Sequence, residues 1–69
     1  MSEYNGHPSY EHWNVTLWLS NDEGFYELAK EYSRESFVEV LSEFYKRTGD
    51  GVEVTPELAE YAYDCITEE

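Results

Sequence analysis

Glu23, Glu27, Glu31, Glu35, Glu39 and Glu43 recur at every fourth position through the middle of this 69-residue chain. Apolar residues fill the gaps at intervals of three and four, with Phe25, Leu28, Ala29 and Tyr32 in one stretch and Phe37, Val40, Leu41 and Phe44 in the next. These two periods together describe amphipathic helices, with acids about 6 Å apart along one face and a dry stripe opposite. The two stretches look like copies: EGFYELAKEY at 23–32 returns as ESFVEVLSEF at 35–44, twelve residues on. On one continuous helix that offset would turn the second apolar face by about 120° from the first. Both faces meet one core only if the chain breaks near Ser33–Ser36, so two short helices are expected.

The flanking segments supply two more. Residues 1–8 hold Gly6 and Pro8 without periodicity and read as an N-terminal arm packed down by Tyr4. Ser9 can cap a first helix of about residues 10–20 in which Tyr10, Trp13 and Leu17 share a face. WNVTLWL also alternates and is rich in strand-favouring residues, a pattern that a short strand at 14–19 would share. Asn21, followed by Asp22 and Glu23, is placed to start the second helix, and Ser36 with Glu39 has capping-box spacing for the third, which could begin as early as Ser33. Gly49 or Gly51 is expected to end that helix. Val54-Thr55-Pro56-Glu57 opens the last one with a cap, a proline at the first helical position and a staple from Val54 to Ala59, leaving Leu58, Ala62, Cys65 and Ile66 inward. The expectation is an all-α fold, a single acidic domain over 1–69 built as a small bundle of about four short amphipathic helices. Its expected core is Phe25, Leu28, Phe37, Leu41, Phe44, Leu58 and Ile66.

A chain this short buries only about 60% of the surface it exposes when unfolded, so its stability margin is narrow. Sixteen Asp and Glu against four Lys and Arg give a net charge of −12, yet 41% of residues are hydrophobic and 17% aromatic. Disordered acidic tails are poor in aromatics, so this composition belongs to a folded domain. The single Cys65 has no partner within the chain and acids around it, which fits a reduced, inert thiol. The N-terminus lacks a basic start with an apolar run, and no stretch approaches the ~20 apolar residues that span a bilayer. A soluble cytoplasmic protein is expected.

The carboxylates are ordered. Glu57, Glu60, Asp64 and Glu68 form a further stripe on the last helix, with Glu53 just before it, opposite Leu58, Ala62 and Ile66. Like charges four apart cost a helix a few tenths of a kcal/mol per pair, and folding alone would place Lys after Glu instead. A solvated surface or adaptation to salt would also give excess acid, but neither requires the pattern to recur on three helices, and the aromatic content and thirteen Glu against three Asp weigh against salt adaptation. Duplex DNA carries about one negative charge per 1.7 Å, and twelve charges on a domain about 25–30 Å across approach that density. A cleft of Lys and Arg that grips phosphates would also grip such a surface. The expected partner-binding surface, a DNA mimic, is therefore Glu23, Glu27, Glu31, Glu35, Glu39, Glu43, Glu53, Glu57, Glu60, Asp64 and Glu68, with no direct contact to nucleic acid and none to a membrane.

No catalytic constellation stands out. His7 and His12 lack the Cys or His partners of a zinc site and read as surface or capping residues. Asp50-Gly51 reads as a turn, because the alternating acids of a calcium loop are missing. No enzyme, metal or cofactor is expected.

The segment YNGHPSYEHWNVTLWLSNDEGFYELA, residues 4–29, resembles a motif of small proteins from phages and mobile elements, with Trp13, Asn14, Trp18, Asn21, Asp22, Glu23 and Gly24 in register. With its size and acidity, the whole chain resembles phage anti-CRISPR proteins that act on type I-C systems. The resemblance implies inhibition of the multi-subunit surveillance complex in the infected bacterial host, at the large subunit that reads the motif beside the target. Two other readings compete with it. One is an interaction module that uses exposed aromatics such as Trp18, Tyr26 or Tyr63, and the other is the same mimicry aimed at a restriction enzyme, nucleoid protein or polymerase.

Overall fold

Every helix in this chain starts at a side chain that closes its first turn. In the computed structural model, which describes residues 6–68, the helices are α1 (Tyr10–Asn21), α2 (Glu23–Glu31), α3 (Arg34–Phe44) and α4 (Pro56–Thr67). Ser9 Oγ accepts from the His12 amide at 3.3 Å, Asp22 Oδ1 from Phe25 at 3.1 Å, Ser33 Oγ from Ser36 at 3.2 Å and Thr55 Oγ1 from Leu58 at 3.2 Å. Each such cap contributes about 1 kcal/mol. One of them differs from the sequence expectation, in that Asp22, not Asn21, caps α2. α3 begins at the earlier of its two expected starts, with Ser33 as its cap.

Asp22 is also the residue at which α1 ends, so a single extended residue turns the chain from one helix into the next. Gly24 sits tightly against this corner: a Cβ there would lie 3.2 Å from Asp22 Oδ1. Between α2 and α3 the expected break is present, with Tyr32 and Ser33 both extended. The 14–19 segment is helical throughout and no sheet forms among the described residues.

Neither Gly49 nor Gly51 ends α3. The helix stops at Phe44, where the Tyr45 amide donates to Leu41 O, and the chain then folds back on itself. Val54 N donates to Lys46 O at 2.8 Å, Thr48 N to Val52 O at 2.9 Å and Gly51 N to Thr48 O at 2.9 Å, with Arg47 and Glu53 paired antiparallel. Gly51 takes φ +88° at the tip, a conformation that disfavours other residues. This short hairpin delivers Thr55 and Pro56 to the start of α4.

α4 packs against each of the other three helices. Its Leu58, Ala59, Ala62 and Ile66 join Val15 and Leu19 of α1, Ala29 of α2, Phe37 and Leu41 of α3, and Val54 in one buried cluster. Phe25 and Leu28 are half-buried at its edge. Three expectations about the core need correction. The inward face of α1 is Asn14, Val15 and Leu19, not the face shared by Tyr10, Trp13 and Leu17, because apolar and polar residues are interspersed around α1 and spacing alone does not select a side. Phe44 is 76% exposed: Tyr45, packed on Phe25 with ring centroids 4.8 Å apart, closes that end of the core in its place. Tyr32, at the edge of α2, is also exposed.

Candidate partner-binding surface

The two kinds of acid divide their work. The three aspartates are all engaged in the fold: Asp22 caps α2, Asp50 accepts two side-chain bonds, and Asp64 pairs with Arg34. Eleven glutamates lie in the described residues, at 11, 23, 27, 31, 35, 39, 43, 53, 57, 60 and 68, and all are exposed. Among the described residues no glutamate side chain takes a hydrogen bond or an ion pair. Glu60 alone lies near enough to Arg34 to contribute to its electrostatics.

Asp64 therefore stands apart from the rest of the expected surface. It is half-buried, and its Oδ1 receives both Arg34 Nη2 at 2.7 Å and Nε at 3.2 Å, which links α4 to the start of α3. The hydrogen bond with Asp64, and then its charge, hold the guanidinium of Arg34 above its ordinary pKa. The free part of the α4 stripe is Glu57, Glu60 and Glu68, with Glu53 on the hairpin before it. On α2 and α3 the two trios, Glu23, Glu27, Glu31 and Glu35, Glu39, Glu43, all face solvent.

A polar cluster that sequence spacing could not reveal anchors the hairpin to α1. Asn14 is fully buried, and its Nδ2 donates to Asp50 Oδ2 at 2.8 Å while its Oδ1 accepts from Thr48 Oγ1 at 2.7 Å. Thr48 Oγ1 in turn accepts from Val52 N, and Trp18 Nε1 donates to the same Asp50 oxygen at 3.2 Å. The bond from Asn14, and then that from Trp18, hold the Asp50 carboxyl below its ordinary pKa of 3.8. Gly49 lies against the Trp18 ring so closely that a Cβ would come within 2.3 Å of it. Asn14 and Trp18 of the N-terminal motif thus act on the fold by holding the 48–52 turn.

The aromatics offered as a rival contact surface are mostly occupied. Trp18 is held by Asp50, Tyr26 lies under Lys30 Nζ at 5.2 Å, and the Tyr63 hydroxyl donates to Tyr32 O at 2.8 Å. Phe44 is the apolar side chain left most open. His7 and His12 are half-buried and not surface residues: both rings meet the edge or face of Tyr61, and His7 Nδ1 lies 2.8 Å from its hydroxyl. His12 Nδ1 shares a 2.6 Å contact with Ser9 Oγ, so the capping role belongs to the serine. Burial, and then a hydrogen bond with the half-buried Cys65, raise the Tyr61 hydroxyl above its ordinary pKa. The expected arm of residues 1–8 is described only from Gly6 onward, and the packing of Tyr4 lies outside the described residues.

The family model described as "Family of unknown function (DUF7249)" matches residues 1–68. The chain belongs to this family. No curated protein and no solved structure matches it. Among the described residues of this DUF7249 chain, no group of three or more His, Cys, Asp or Glu is placed to hold a metal ion, and no helix is long and apolar enough to cross a membrane.

Proposed function

We propose that this DUF7249 protein is a non-enzymatic inhibitor whose glutamate surface imitates DNA and occupies a basic nucleic-acid-binding cleft. One observation carries the reading: the aspartates are engaged in capping and tying the fold, while every described glutamate is exposed and unpaired. A partner's Lys and Arg would meet these carboxylates without breaking any bond that holds the bundle. Fourteen of the sixteen acids and all four cations lie in residues 6–68, a net charge of −10 there. Ten charges over the molecule's longest dimension of 34 Å make about one per 3.4 Å, half the density of duplex DNA and close to that of one of its strands. The helices bear this arrangement at a cost of a few tenths of a kcal/mol for each like-charged neighbour.

The resemblance of the whole chain to phage anti-CRISPR proteins supports a more specific partner, the motif-reading large subunit of a type I-C surveillance complex in the cytoplasm of an infected bacterium, where the inhibitor would block target DNA binding. The same surface would serve against a restriction enzyme or another DNA-binding protein. The test is capture of partners from a host lysate, followed by competition with duplex DNA across a salt series. Mimicry requires mutually exclusive binding with DNA and affinity that falls steeply with ionic strength. Simultaneous binding with DNA, at an affinity indifferent to salt, would overturn it. That result would instead favour an apolar contact centred on Phe44, the most exposed of the large apolar side chains.

A further inference from the structure

The cations of this acidic chain are not spread evenly. Arg34 is paired with Asp64 and Lys30 lies over the Tyr26 ring, but Lys46 and Arg47 are consecutive and, among the described residues, neither has an acid within ion-pair distance. Both line a cavity of about 320 Å³ between the end of α3 and the hairpin, together with Ser42, Thr55 and Glu53. That volume lies at the lower end of the range typical of ligand pockets, about 300–1,000 Å³.

The cavity is preformed. Lys46 O accepts from Val54 N, Arg47 is paired antiparallel with Glu53, and Arg47 Nη1 donates to Gly51 O at 3.3 Å, so the backbone under both cations is fixed on two sides. The bond to Gly51 O uses one of the five N–H donors of the guanidinium. Thr55 Oγ1 accepts from Leu58 N, which leaves its own proton to donate, and the Ser42 hydroxyl takes no partner among the described residues. The residues that line this one small cavity carry two cations and two hydroxyls, a donor set that a tetrahedral phosphate accepts, with the guanidinium fork and the ammonium point charge suited to different oxygens.

We propose that this cavity binds a phosphate group through Lys46 and Arg47, with Ser42 and Thr55 as supporting donors. Glu53 opposes the anion from the same lining and sets the affinity low. The net charge of the whole chain also opposes it, but from farther away. Screening acts at about 30 Å in 0.01 M salt and about 10 Å in 0.1 M, so salt removes the distant repulsion before it weakens the direct contacts. Phosphate binding should therefore strengthen over that interval, opposite in sign to the behaviour expected of the glutamate surface. The site stands or falls independently of the mimicry.

The experiment is an amide NMR titration of the isolated protein with inorganic phosphate and, in parallel, with a short single-stranded oligonucleotide. Saturable shifts at Ser42, Lys46, Arg47 and Thr55 are expected, and the probe that binds more tightly distinguishes free phosphate from a phosphodiester backbone. The double variant Lys46→Gln/Arg47→Gln loses the Arg47–Gly51 bond but keeps the backbone bonds of the hairpin, so it should retain the parent's helical circular dichroism and lose about tenfold or more in affinity, the loss expected for charge-assisted hydrogen bonds. Glu53→Gln should tighten binding several-fold. Absence of saturable shifts with both probes, equal shifts in the double variant, or weaker binding by Glu53→Gln would each overturn the proposal while leaving DNA competition by the glutamate surface untouched.

Discussion

Replacing Asn14 by alanine tests whether a buried amide, and not only apolar contact, holds the hairpin to the helices. The amide is fully buried and joins Thr48 Oγ1 at 2.7 Å to Asp50 Oδ2 at 2.8 Å. Without it the Thr48 hydroxyl, itself 5% exposed, donates to nothing in the interior, a penalty of about 1–3 kcal/mol. The vacated volume adds about 1 kcal/mol. Asp50 is exposed and turns to water, so no buried charge is stranded. The sum is about 2–4 kcal/mol, against a total stability of about 3–10 kcal/mol for a domain of this length. Urea unfolding followed by circular dichroism at neutral pH would measure it, with Thr48→Val and the double variant completing a cycle. A coupling of about 1 kcal/mol between the two positions is expected. The effect also carries a pH signature. Folding lowers the pKa of Asp50, so this contribution is complete above the ordinary value of 3.8 and is lost as pH falls through the lower folded value. The gap between parent and Asn14→Ala should narrow in that acid range. A loss below about 0.5 kcal/mol, typical of surface changes, or a gap indifferent to acid, would refute the reasoning.

Phe37 is fully buried and packs on Tyr63 across the α3–α4 contact, so Phe37→Ala should cost about 3–5 kcal/mol and leave little folded protein by circular dichroism. Phe44→Ala, at a side chain 76% exposed, should change stability by less than about 0.5 kcal/mol; if binding is electrostatic, affinity for the partner should also stay the same. Changing Glu57, Glu60 and Glu68 together to Gln removes three free carboxylates while sparing the Arg34–Asp64 pair, and it relieves like-charge repulsion on α4. That variant should melt no lower than the parent and compete less well with DNA; undiminished competition would leave the α4 stripe without a role.

Much of the fold is written locally. The capping side chains of Ser9, Asp22, Ser33 and Thr55 and the proline at the start of α4 act within one turn, the twelve-residue repeat acts within neighbouring segments, and the helices and the break at Tyr32–Ser33 follow from them. What failed was long-range. Apolar and polar residues are interspersed around α1, so only its contacts with α4 and the hairpin decide that Val15 and Leu19 turn inward and Leu17 outward. The Asn14–Asp50 bond spans 36 residues, and neither end differs in local pattern from an ordinary helix or turn residue. The acidic surface was legible as a spacing of glutamates, but spacing could not separate Asp64, held by a guanidinium thirty residues away, from the free acids around it.

α4, on which the other three helices pack, is also the last of them in chain order. During synthesis α1, α2 and α3 therefore emerge before the helix against which all three pack. The complete core, which includes Leu58, Ala59, Ala62 and Ile66, can close only once α4 has been made. In that interval the closely spaced glutamates of α2 and α3 keep neighbouring nascent chains apart by mutual repulsion, so the charge that strains the finished helices protects the unfinished ones from aggregation.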